Sequence, residues 1–189
     1  MKFSYDQCRD IVLGELQQSL GGIDGGQAEA LCAELTRARK VFVVGVGRVL
    51  LSLQCFVKRL NHLGIPAFFV GEINEPAITK DDLLIVGSGS GESAFPVAIA
   101  QIARRKAEGV HIVHIGSNVE STVSSLADLC VRIPCRTKLY KDDEIDSQQP
   151  MSSLFEQSLL LFADVVCMML VRDRDIDIKS LWEFHANLE

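Results

Sequence analysis

Gly87-Ser88-Gly89-Ser90-Gly91-Glu92-Ser93 is the segment of this chain whose residue types most plainly serve chemistry. It follows the apolar run Leu83-Leu84-Ile85-Val86 and precedes a stretch that reads as helix to about Ala107. Glycines let a backbone approach a ligand and turn its amides inward. A helix start adds free N–H groups and a partial positive charge. The hydroxyls of Ser88, Ser90 and Ser93 add donors around Gly89, so the loop reads as a cradle for a phosphate dianion that needs no metal. It is not a Walker A loop, because no Gly-Lys-Ser/Thr follows. The competing reading is a flexible turn with Ser93 as a helix cap.

Gly45-Val46-Gly47-Arg48 forms a second glycine loop after the apolar run Val41–Val44. It has the first two glycines of a dinucleotide fingerprint, but position 50 is Leu and the third glycine is missing. Glu72 could imitate the ribose-binding acid, yet a partial motif of this kind is weak support for a nicotinamide cofactor. The planar donors of Arg48 suit a phosphate or a sugar hydroxyl, or a surface ion pair. Glu72 is a candidate for sugar hydroxyls or for sharing base duty.

Glu156 and His185 are the leading acid–base candidates. Glu156 stands early in an apolar helix, although Ser153-Leu154-Phe155-Glu156 also fits a capping box. His185 is near the end of the chain, where a helix C-terminus would favour a histidine without any catalytic role. His62, after Lys58 and Arg59, reads as a packing or capping residue held in reserve, and His111 and His114 as structural. Cys8, Cys32, Cys55, Cys130, Cys135 and Cys167 contain no CxxC pair, and the four histidines do not cluster near them. Neither a zinc site, a disulfide framework nor a redox cofactor is expected.

The elements that must position these residues alternate. Ser4–Leu20 and Gln27–Arg39 read as amphipathic helices, separated by glycine pairs. Strands are predicted at 41–44, 67–70, 83–86, 110–115 and 129–133, with helices at 50–63, from the serine loop to about 107, and at 121–127. Strands alternating with helices predict a parallel sheet covered on both faces. Its ligands bind outside the carboxyl ends of the strands. Arg136–Gln149 reads as a polar surface loop or lid. Pro150 is expected to open a long apolar helix, and Ile178–Leu188 to form a last helix.

The chain has 189 residues, 48% of them apolar and 23% charged, which suits one domain with helical extensions at about 1–39 and 150–189. With 19 Lys and Arg against 25 Asp and Glu the formal net charge is -6, and no basic run offers a nucleic-acid footprint. The mean hydropathy of +0.19 points to apolar surface buried between subunits. Leu154–Val171 is apolar but carries Glu156, Gln157 and Asp164, which are costly in lipid, so a buried helix is expected rather than a membrane span. Met1-Lys2-Phe3-Ser4-Tyr5 lacks the apolar core of a signal peptide, and a reducing cytoplasm is expected.

The two glycine loops together resemble the SIS (sugar isomerase) domain, a phosphosugar-binding α/β fold. The likeness is closest to the 6-phospho-3-hexuloisomerases. It rests on Gly45–Arg48, Arg59–Gly64, Val70-Gly71-Glu72 with Pro76-Ala77-Ile78, and Gly87–Ser93. It rests further on Gln149-Pro150-Met151 with Leu154-Phe155-Glu156, and on the ending His185-Ala186-Asn187-Leu188-Glu189. The resemblance implies a three-layer αβα sandwich on a five-stranded parallel sheet, flavodoxin-like or Rossmann-like. It implies an intramolecular oxidoreductase that interconverts D-arabino-3-hexulose 6-phosphate and fructose 6-phosphate through a cis-enediol, without a cofactor. It also implies a homotetramer, or a dimer, with sites completed by neighbouring subunits. Gly47, Arg48, Glu72, Ser88, Gly89, Ser90 and Ser93 would bind substrate; Glu156 would be the base and His185 the acid or proton shuttle. One departure stands out: Val49 occupies the place of the family's usual serine after Arg48, and Ser52 is nearly a helical turn further on. A non-catalytic sensor of a sugar phosphate, or an isomerase of another sugar phosphate, are the alternative readings.

Overall fold

Uninterrupted apolar runs such as Val41–Val44 and Leu83–Val86 have no polar face to turn to water, so they must be covered on both sides. In the computed structural model, which describes residues 2–188, they form the centre of one sheet. Met1 and Glu189, which belong to two of the segments quoted above, lie outside the described residues. The strands are β1 (Val41–Val44), β2 (Ala67–Phe69), β3 (Leu83–Gly87), β4 (His111–Gly116) and β5 (Leu129–Arg132). All pairs are parallel and the order is β2-β1-β3-β4-β5. This is the doubly wound, flavodoxin-like order.

Side chains along a strand alternate between faces. Val41, Val43, Leu83, Ile85, Val113, Ile115 and Val131 face one core, filled from the helices α2 (Gly25–Arg37), α3 (Gly47–His62) and α6 (Ser153–Asp173). Phe42, Val44, Leu84, Val86 and Ile112 face the other, covered by α4 (Ala94–Lys106) and α5 (Thr122–Leu126). The three-layer α/β sandwich is therefore present. The helix α1 (Tyr5–Gly21) packs on α6. Its start is a capping box in which Ser4 Oγ accepts from Gln7 N and Gln7 Oε1 accepts from Ser4 N. Its end is tied inward by buried Ser19, whose hydroxyl donates to Ser158 at 2.9 Å.

α6 is long and apolar enough to cross a membrane, with a mean hydropathy of 1.9, but half of that stretch is buried within the protein. Leu154, Phe155, Leu159, Phe162, Val166 and Leu170 are nearly inaccessible. They pack as the i, i+4 and i+7 positions of a core-facing helix.

Several boundaries differ from expectation: α3 starts at Gly47 rather than at Leu50, Gly25 and Gly26 lie inside α2 rather than in the break before it, and two differences go deeper. Pro150 does not open α6. Met151 takes a left-handed backbone (φ 56°), which turns the chain once more, and Ser152 becomes the residue before the first helical turn. The capping box expected at Ser153–Glu156 therefore does not form: Ser153 Oγ donates to the Pro150 carbonyl, and the Glu156 side chain points elsewhere. The last helix is also different. It is a 3-10 helix over Ile178–Phe184, started by Asp177 and stopped at His185. Ile178, Leu181 and Phe184 recur every third residue, which matches the three-residue turn of a 3-10 helix.

Candidate functional site

The sheet changes winding direction between β1 and β3: one neighbour of β1 is reached through α3, the other lies on the opposite side. Loops leaving two such strands diverge and open a crevice at their carboxyl ends. A cavity of about 240 Å³ lies there. Gly47, Arg48 and Val49 come from the β1 outlet, Gly87–Ser90 and Ser93 from the β3 outlet, and Ser152, Phe155 and Glu156 from the start of α6.

The β3 outlet is held from several sides. Ser88 Oγ accepts from Gly91 N at 3.1 Å, and Ser90 Oγ accepts from Glu92 N at 3.3 Å. Both serines are buried, and with their oxygens accepting, their protons remain available to a ligand. Ser93 starts α4 without using its hydroxyl as a cap, so the capping role expected as the alternative is not taken up. Below the loop, buried His114 donates from Nε2 to the Ser88 carbonyl at 2.9 Å. Its Nδ1, 2.9 Å from Ser124 Oγ, then accepts from that hydroxyl. Burial pushes the His114 pKa down, in keeping with a neutral ring. On the outer side the Glu92 carboxylate accepts from Thr122 N and Thr122 Oγ1, each at 2.7 Å. Those two bonds hold its carboxyl below the usual carboxylate range.

Gly91 has φ 67°, and a Cβ there would lie 2.0 Å from Ser121 Oγ, so only glycine fits by conformation and by space. Gly47 also has a left-handed backbone (φ 57°), but open space surrounds its missing side chain.

Across the cavity Arg48 Nε donates to Glu156 Oε2, and Ser52 Oγ donates to the Glu156 carbonyl at 2.8 Å. The Glu156 side chain is 13% exposed and that of Arg48 is 62% exposed. The carboxylate thus reaches the cavity from a mostly buried base, gripped by an arm that lies in solvent. A carboxylate so placed can take a proton from a bound molecule, and three hydroxyls with the N-terminus of α4 opposite can take an anion.

Of the residues singled out from the sequence, Gly47, Arg48, Ser88, Gly89, Ser90, Ser93 and Glu156 line this cavity together. Glu72, past β2, and His185 do not. His185 stacks on His62 with ring centroids 5.2 Å apart and lies tilted against Trp182 at 5.0 Å. That is the far end of α3, about 21 Å along the helix from Arg48. His111 pairs with Glu34 at 3.1 Å at the amino ends of the strands. A second cavity of about 260 Å³ lies at that end among Glu34, Arg37, Lys80, Asp82 and His111, where Arg37 pairs with Glu34 and Lys40 with Asp82 at 3.3 Å.

Sequence reasoning missed Thr137 and Lys138, which line the first cavity from the loop after β5. The signal was present: that loop leaves the carboxyl end of a parallel strand, as the others do. Within Arg136–Gln149, which reads as a polar surface loop or lid, no residue pattern singles out its Thr and Lys.

The SIS domain family model matches residues 34–164, more than half of the chain. The chain is 37% identical over 180 residues to 3-hexulose-6-phosphate isomerase of Bacillus subtilis (strain 168), covering 94% of this chain and 95% of that one. It is 34% identical over 179 residues to 3-hexulose-6-phosphate isomerase of Mycobacterium gastri, covering 95% and 88%. A crystal structure from Methanococcus jannaschii, described as inferring a function of 3-hexulose-6-phosphate isomerase, superposes with a TM-score of 0.81. It has 29% identity to this chain, and 95% of this chain and 98% of that one are covered. With the serine loop, the sheet order and these likenesses in agreement, the chain belongs to the SIS domain family.

Proposed function

We propose that this protein is a cytoplasmic phosphosugar isomerase that interconverts D-arabino-3-hexulose 6-phosphate and fructose 6-phosphate. The observation that carries the reading is the meeting of Glu156 with Ser88, Ser90 and Ser93 across one cavity. The hydroxyls and the N-terminus of α4 take the phosphate. Glu156 removes the proton from C2 of the 3-hexulose while the C3 carbonyl oxygen gains one from the acid, giving the 2,3-enediol. The C2 hydroxyl then gives up its proton as C3 receives one, leaving the carbonyl at C2. Arg48 orients the Glu156 carboxylate and offers its remaining donors to the sugar oxygens. The chemistry moves protons only. The names of the curated relatives support this choice of sugar.

His185 is assigned to moving the oxygen-bound protons. Because its own chain holds it at the far end of α3, the reading requires the ring to come from a neighbouring subunit of a homotetramer or dimer. Glu72 is kept as a sugar-hydroxyl contact on the same condition.

Glu156→Gln tests the assignment: turnover should fall by about 10²- to 10⁴-fold while fructose 6-phosphate still binds. Turnover within about threefold of the parent removes Glu156 from the chemistry. Val49, apolar in the cavity wall, favours a second reading, a sensor that holds the sugar without converting it. Incubation with fructose 6-phosphate in D₂O separates the two, since only an isomerase places deuterium on carbon.

A further inference from the structure

Lys138 stands apart from the other cations around the cavity. Arg48 is neutralised by Glu156. Arg132 pairs with Asp143 at 2.6 Å, Arg136 with Asp146 at 2.6 Å, and Lys141 with Glu120 at 3.4 Å and with Asn118 Oδ1 at 2.7 Å. Among the described residues, Lys138 has no carboxylate within ion-pair distance, yet it lines the cavity beside the serine loop. Counting the cavity wall alone, Arg48 and Glu156 cancel and Lys138 is the remaining charge. Its field reaches the serine loop: it adds to the lowering of the Glu92 pKa that Thr122 begins.

Its backbone is held in place. Thr137 N and Oγ1 both donate to Glu144, at 2.9 and 2.8 Å, and Lys141 N donates to the same carboxylate. Further along, Glu15 of α1 accepts from Ser147 Oγ, Gln148 N and Gln149 Nε2. The loop is thus pinned at two points, and the ammonium at 138 hangs from a prepared support rather than a free strand. An unpaired cation beside hydroxyls and free amides is a ready partner for a phosphate dianion.

We propose that Lys138 is the counter-cation of the substrate's phosphate monoester, and that it sets which end of the sugar phosphate points to the β3 outlet and which to Glu156. This rests on the phosphosugar reading above. A dianion bound between Lys138 and the serines leaves the carbon chain to run toward the carboxylate, and an inverted sugar would place its phosphate against Glu156 and be rejected.

The test uses the full-length protein, Lys138→Met and Lys138→Arg, with fructose 6-phosphate and inorganic phosphate as probes in calorimetry and turnover assays. Lys138→Met should weaken binding of both probes and raise KM by about 10- to 100-fold, with kcat changed by less than about threefold. Lys138→Arg should recover most of the affinity, and the salt dependence of binding should flatten in Lys138→Met alone. Unchanged affinity in a folded Lys138→Met overturns the proposal, and so does a fall in kcat at unchanged KM. If the parent binds both probes and Lys138→Met does not, but neither converts the sugar, the lysine assignment stands and the isomerase reading falls.

Discussion

The two loops that face each other across the cavity reach it by different means. At the β3 outlet, Ser88, Ser90 and Gly91 are braced by His114 below, Glu92 and Thr122 outside, and by their own hydroxyl-to-amide bonds. At the β1 outlet, Val46 precedes α3 with no side-chain cap, and Arg48 reaches Glu156 through solvent. A site that must grip a constant group and handle a changing one gains from this division. The phosphate does not alter during the reaction, so its cradle can be rigid. In the proposed reaction the Glu156 carboxylate would change charge on taking a proton, and an exposed arginine can adjust to it.

The glycines give the sharpest way to break this contrast. Gly91→Ala adds a steric clash with Ser121 to a left-handed backbone, and should cost about 3 kcal/mol, or roughly 10 °C in Tm, together with most phosphate affinity. Gly47→Ala meets only the backbone penalty and should cost about 1 kcal/mol, or roughly 3 °C. Equal losses in thermal melts of the two variants would erase the distinction between the outlets.

His114 gives a middle-sized effect with a pH signature. Burial holds its folded pKa below the ordinary value of 6.5. Between those two values the unfolded chain binds the proton and the folded chain does not. Stability therefore falls as pH drops below about 6.5. His114→Gln can still donate to the Ser88 carbonyl, should lose about 1 kcal/mol at pH 7.5, and should lack this part of the acid slope in urea unfolding. The same slope in parent and variant would mean that the ring does not stay neutral beneath the cradle.

Val49→Ser is the smallest change. It places a hydroxyl on the β1 side of the cavity, where the wall is now apolar. Phosphosugar affinity should rise by about two- to fivefold with little change in Tm. A weaker complex would show that the β1 outlet favours the valine.

The parts of the fold that are local in sequence were the parts that could be read there. Runs such as Val41–Val44 announce doubly covered strands, and Gly91 with its neighbouring serines announces a ligand loop. The strand order was not legible, because it depends on pairing between segments far apart. Pro150 misled because its fixed φ suits a helix start, while the left-handed turn at Met151 becomes visible only in three dimensions. Ile178–Leu188 read as an α-helix because a spacing of three is ambiguous over so short a stretch. The roles of Glu92, His114 and Lys138 rest on partners 10 to 30 or more positions away, or on a missing partner, and no local pattern marks them.

Glu15 carries a consequence for anyone trimming this protein. The matched family segment begins at residue 34, so a fragment cut to that border would discard α1 and with it the carboxylate that fastens Ser147, Gln148 and Gln149. Such a fragment would keep every residue of the serine loop and still release the far shore of its own pocket.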